Sequence, residues 1–221
     1  MPRATYAQQL RQLQDEVLLL GSMVDQSIER SMAALKDRDV VKAKQIVDDD
    51  LAINRKRFEI EDFALQTIAT QQPMASDLRV IASVLYVITD LERMADHAEG
   101  TAKIVIRMGD EPLIKPLVDI PIMSDKARAM LRAALDAFVN HDAVAAKLIA
   151  DSDDEVDEIY DRVVNDLILL MGRDPSLIER ATYLVWVAHN LERIADRVTN
   201  ICERVAFMVT GRMEEVNVSK Y

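Results

Sequence analysis

The chain has 221 residues, half of them apolar and 5% aromatic, with five glycines and six prolines, a composition that points to an all-α protein and away from sheet folds. Its 27 basic residues stand against 38 acidic ones, and the formal net charge of −11 repels phosphate backbones, which argues against nucleic acid as a partner. Cys202 stands alone, so no internal disulfide forms, and its setting reads as that of a small buried hydrophobe. Met1-Pro2-Arg3-Ala4 leads straight into polar residues, and the longest apolar run, Val80 to Thr89, is about half a membrane span. The expectation is a cytoplasmic, unprocessed chain with no membrane span.

A first helix follows from about Thr5 to Lys36 through Leu10, Leu13, Val17, Leu20, Val24, Ser27, Ser31 and Ala34, at spacings of three and four. Such a helix is roughly 48 Å long and must pack along its length to persist. Asp37-Arg38-Asp39 breaks it and places Asp39 to cap a second helix at Val40. The second helix runs to about Ala69, before Pro73, and a third spans Ser76 to Gly109. Asp110 to Pro121 holds Pro112, Pro116 and Pro121 and marks a boundary. The second half repeats the order: a break at Asn140-His141-Asp142, a helix from Ala143 to near Gly172, and another from Ser176 to Gly211. We therefore expect two tandem antiparallel three-helix bundles, residues 1–110 and 123–211, joined by a Pro-rich linker at 111–122, with 212–221 as a frayed tail.

The halves share more than order. Asp90 to Val105 reads DLERMADHAEGTAKIV and Asn190 to Val205 reads NLERIADRVTNICERV, so Leu, Glu, Arg, Ala and Asp recur one hundred residues apart. In the later copy Leu184, Leu191, Val198 and Val205, and likewise Val187, Ile194, Ile201 and Met208, fall seven apart as a heptad seam. Glu192 and Asp196 lie four apart beside that seam. The spacing predicts a carboxylate patch displayed on the flank of a bundle.

With these runs in view, Gln72-Pro73-Met74-Ala75-Ser76-Asp77-Leu78-Arg79, DLERMADHA and LVWVAHNLERIADRVTNICERV resemble the PhoU family of phosphate-transport regulators over nearly the whole chain. The resemblance implies a cytosolic, non-enzymatic protein acting between the phosphate ABC transporter ATPase and a sensor histidine kinase, and metal clusters on paired acidic motifs. Carried onto this sequence, the third-helix motif falls on Glu92 and Asp96 and on Glu192 and Asp196, and the facing middle-helix motif on Asp153 and Asp157. In the first half that facing motif is Asp50 and Asn54, where an amide replaces an acid, and the Asn found at Asn200 is Gly100. The second half therefore carries the more complete set.

Residue chemistry agrees in kind. Four carboxylates from neighbouring helices need their repulsion neutralised, and oxygen ligands suit magnesium, calcium, manganese or iron, while His189 adds an imidazole fit for iron or zinc. Arg93 and Arg193 read as salt-bridge partners, and His97 and His141 as structural or solvent-facing. Two other readings stand beside the metal-binding adaptor. One is a metal-free helical scaffold. The other is a di-iron carboxylate enzyme, against which the sequence offers His189-x-x-Glu192 once, off the seam, and no phosphate loop or nucleophile elbow. Long amphipathic helices also suit a homodimer.

Overall fold

The computed structural model describes residues 2–214, with side chains from residue 6; the expected tail beyond Glu214 lies outside the described residues. Its elements are α1 (Pro2–Asp37), α2 (Val40–Gln71), α3 (Ser76–Met108), α4 (Asp119–Asn140), α5 (Ala143–Asp151), α6 (Asp153–Arg173), a single 3-10 turn at Pro175–Leu177, and α7 (Ile178–Thr210). The all-α expectation holds, and the capping chemistry sets the breaks. Asp39 accepts the Lys42 amide at 2.8 Å, and Asp142 accepts the Val144 and Ala145 amides at 3.0 and 2.9 Å. Arg38 and His141, the residues preceding these caps, both take positive φ, 56° and 53°. Gly109 and Gly211, at φ 59° and 73°, close α3 and α7 where a Cβ would be strained.

Two local expectations need correction. The middle helix of the second half is interrupted at Ser152, whose hydroxyl turns back onto the Ile149 carbonyl at 2.6 Å while Asp153, Asp154 and Glu155 begin a new helix with acids in its first turn. The helix does end near Gly172 as expected, at Arg173, before Pro175. Pro121 does not belong to a linker but to the first turn of α4, where an amide would lack an intrahelical acceptor in any case.

The packing joins the two halves around a common core. α3 packs most extensively against α7, α1 against α3, α4 against α7, and α1 against α4, so these four helices close a ring. α2 covers the α1–α3 side, and α5 and α6 cover the α4–α7 side. The seam residues fill the middle: Leu91, Met94, Ala95 and Val84 of α3 are fully buried, and Leu184, Leu191, Val198 and Val205 of α7 are at most 1% exposed.

α3 and α7 run antiparallel, as their cross-bonds show. Arg79 Nε donates to the Met208 carbonyl and Ser83 Oγ to that of Arg204, both at 3.4 Å. Toward the middle Asp90 accepts from Asn200 at 3.1 Å and Arg197 at 3.4 Å, and Asn190 meets His97 at 3.2 Å and Thr101 at 3.4 Å. Asp90 and Asn190 are equivalent positions, so the halves face each other about a pseudo-two-fold axis. Gly100 serves that approach, because a Cβ there would sit 3.1 Å from Asn190 Nδ2. Between α1 and α4 the equivalent residues Asp25 and Arg128 pair at 2.8 and 3.1 Å on the same axis.

We place the boundary between the halves in 110–118, the stretch between α3 and α4. Limited proteolysis is expected to cut there first and to leave two helical fragments; early cuts within α2 or α3 would contradict it.

Candidate metal-binding grooves

Two grooves carry the acids, one between α2 and α3 and one between α6 and α7. They are built from equivalent positions but filled differently.

In the first groove Asp50 of α2 faces Asp96 and Glu99 of α3, and one carboxylate oxygen from each lies within 4.8 Å of the others. Asp50 is 9% exposed, and Asn54 fixes its carboxylate by donating from Nδ2 at 2.8 Å. Burial and the negative charges of Glu99, Asp96 and Glu92 push the Asp50 pKa up to about 6. Burial likewise raises Asp96 and Glu92, the latter relieved in part by Arg57. Lys103 pairs with Glu99 at 2.6 Å from the groove edge.

Glu99 is the ligand candidate that comparison of the halves conceals, since its equivalent is Thr199. The signal was there along the helix itself: Glu92, Asp96 and Glu99 follow each other at i, i+4 and i+7 on one face.

In the second groove Asp153 and Asp157 of α6 face Glu192 and Asp196 of α7. Glu192 is 6% exposed, so it is not displayed on a flank as its spacing predicts: α6 packs over that side of α7. Arg193 folds back onto both acids of its own helix, with Nε 2.8 Å from Glu192 Oε2, Nη2 2.9 Å from Oε1 and Nη1 2.8 Å from Asp196. The Nε contact is an ion pair by distance but is poorly angled for a hydrogen bond, and Glu192 Oε2 and Asp153 Oδ1 are buried without a hydrogen-bond donor among the described residues. His189 Nδ1 lies 3.6 Å from Glu192, and burial lowers its pKa, which keeps the imidazole neutral and able to ligate. Burial, then the charge of Asp196, raises Glu192 to about 7; burial, then the charges of Asp157, Asp196 and Glu192, raises Asp153 to about 7.

The donor sets fit a cation in different ways. The first groove already converges three hard oxygen ligands, as magnesium, calcium or manganese would require. The second has four carboxylates and an imidazole, yet no three of its ligand atoms converge so closely, because Arg193 supplies the positive charge internally. The second half keeps the more complete motif, while the ligand atoms converge more closely in the first. Cys202 takes no part; it is fully buried and its thiol is pushed up to about 12 by burial. His97 is structural through Asn190, and His141 meets Gln14 at 3.2 Å beside the α4 cap.

The acid shifts share a sign. Folding raises Asp50, Asp153 and Glu192 from 3.8, 3.8 and 4.5 to about 6, 7 and 7, so the native chain holds more protons than the unfolded one across that window. Stability is therefore lost as pH climbs from about 4 to about 7. Chelator-treated protein is expected to melt a few degrees lower at pH 8 than at pH 5, with manganese restoring the loss at pH 8. A melting temperature that rises with pH would contradict these shifts.

Both halves match the family model described as PhoU domain, over residues 17–105 and 120–205. The phosphate-specific transport system accessory protein PhoU homolog of Clostridium acetobutylicum is 36% identical over 218 residues, covering 98% of this chain and 100% of that relative. The homolog of the same name in Streptococcus pneumoniae serotype 4 is 34% identical over 95% of this chain and 97% of its own. Among solved structures, the phosphate transport system regulatory protein PhoU from Streptococcus pneumoniae superposes with a TM-score of 0.89 at 32% identity, covering 95% of this chain and 99% of that one. PhoU from Pseudomonas aeruginosa gives 0.88 at 31% identity, with 94% and 100% covered.

Proposed function

The chain belongs to the PhoU family, and on that premise we propose that it is an accessory regulator of phosphate uptake that works by binding rather than by turnover. Its relatives carry the name of phosphate-specific transport system accessory proteins. The partners in this reading are the ATPase of the phosphate ABC transporter and the sensor histidine kinase, met in the cytoplasm. Among the described residues no helix is long and apolar enough to cross a membrane.

The observation that carries the reading is the pair of equivalent acidic grooves flanking a shared helical core. Asp50, Asp96 and Glu99 would hold a hard divalent cation in the first groove, with Asn54 orienting Asp50. Asp153, Asp157, Glu192, Asp196 and His189 would hold one in the second once Arg193 swings away. A bound cation supplies positive charge to a surface that is otherwise strongly negative. That alters its electrostatic complementarity to a partner without moving the backbone.

Asp96→Asn with Glu99→Gln tests this. Asp96 is exposed and Glu99 half-buried, so the fold is expected to survive, while bound metal weakens by about tenfold or more and affinity for the transporter ATPase falls with it. Elemental analysis and titration calorimetry, with manganese and with chelator, read the two effects. A folded variant that keeps its metal refutes the site; one that loses metal and binds the ATPase unchanged refutes a role for metal in docking. Glu192→Ala is a poorer probe, since it takes a buried partner away from partly exposed Arg193 as well as removing a ligand.

A further inference from the structure

The face of the α3–α7 pair turned away from α1 and α4 carries no covering helix. On α3 a row seven residues apart runs along it: Arg79, Tyr86, Arg93, Gly100 and Arg107. The row borders α7, because Arg79 Nε donates to the Met208 carbonyl, Gly100 approaches Asn190, and the Arg204 guanidinium of α7 stacks 4.7 Å from the Tyr86 ring centroid. Arg197 of α7 lies beside it, 3.4 Å from Asp90. Trp186, at the position equivalent to Tyr86, stands toward the other end with the Tyr183 ring 5.8 Å away. Tyr86 and Trp186 are 54% and 44% exposed, and Arg93 and Arg107 are exposed as well.

On a chain of net charge −11 this strip is locally basic. Asp90, the acid at its middle, is already held by Arg197 and Asn200. Its edges are acidic, with Glu92 and Asp96 on one side and Glu192 and Asp196 on the other. The basic surface is therefore narrow, no wider than the cleft between two helices. A broad anionic plane such as a lipid bilayer would meet both acidic edges as well as the arginines, whereas a single rod meets the arginines alone. The cross-bonds set the length. Asn190 faces His97 and Arg204 faces Ser83, so Trp186 lies level with Thr101, and Tyr86 to Thr101 spans about 22 Å of helix.

We infer that the arginine–aromatic strip along α3 and α7 is a docking surface for an acidic amphipathic helix of a partner protein, about four turns long, with an apolar side chain near each end seated on Tyr86 and Trp186. Its carboxylates meet the forks of Arg93, Arg107 and Arg204, a planar geometry that pairs with a carboxylate through two parallel bonds. The contact uses no metal and lies outside both acidic grooves, so it goes beyond the cation-dependent docking proposed above.

Trp186 is the only tryptophan of the chain, so its fluorescence reads occupancy of the strip directly. The probe is a tryptophan-free, alanine-based helical peptide with glutamates along one face and a leucine near each end, about 22 Å apart, titrated onto the full chain with chelator present. Trp186 emission is expected to shift to the blue and saturate at tens of micromolar peptide. The same peptide with glutamine for glutamate should bind at least about tenfold more weakly, as should the glutamate peptide on the Arg93→Gln, Arg107→Gln double variant with its helical circular dichroism intact. No shift with the glutamate peptide, or binding unchanged in the folded double variant, overturns the strip and leaves the metal grooves untouched, since chelator is present throughout. A blue shift of the same size with phosphatidylglycerol vesicles assigns the strip to a membrane surface and overturns the helix as its occupant.

Discussion

Two 33-residue helices, α3 and α7, lie antiparallel with their apolar seams buried in each other, and the position of both acidic grooves follows from that contact. Because a helix repeats every 3.6 residues, burying Leu91, Met94 and Ala98 on one side and Leu191, Ile194 and Val198 on the other turns Glu92, Asp96, Glu192 and Asp196 to the outer flanks. α2 and α6 then close over those flanks. Asp50, Asp153 and Glu192 are thereby withdrawn from bulk water without joining the apolar core, and that burial raises their affinity for protons. The polar bridges across the seam, Asp90 to Arg197 and Asn200, and Asn190 to His97 and Thr101, fix the axial register that sets the two grooves opposite each other.

Duplication gave two equivalent sites, and divergence has balanced their charge by different means. In the second groove four carboxylates are countered by an arginine from the same helix turn, whose fork reaches both Glu192 and Asp196. In the first, Asn54 replaces one acid and donates to Asp50, while Glu99 adds a carboxylate that Thr199 does not. Each groove thus keeps four carboxylates, which converge more closely in the first, while the second holds an internal cation. A metal would find the first preassembled, whereas in the second it must compete with a tethered guanidinium.

Much of this was legible in the sequence because it depends on spacing along one helix. The seam heptads, the caps at Asp39 and Asp142 and the glycine closures at Gly109 and Gly211 are local patterns, and each is where the pattern puts it. What escaped depends on neighbours that spacing does not specify. Periodicity places Glu192 beside the seam but does not say that α6 lies over it. Glu99 is not among the residues the two halves share, and the duplication implies a continuous middle helix where Asp151-Ser152-Asp153-Asp154 prefers to turn and restart. Arg193 is the salt-bridge residue its acidic neighbours predict, and its place between Glu192 and Asp196 is set by the side chains together.

We propose that Asp50, Asp96 and Glu99 form a preassembled divalent site. Anomalous diffraction from crystals grown with manganese, recorded above and below its absorption edge, measures this directly. The expected result is a peak bounded by those three carboxylates, at lower manganese concentration than any peak between Asp153 and Glu192. Manganese at the second groove alone, or at neither groove, would contradict it.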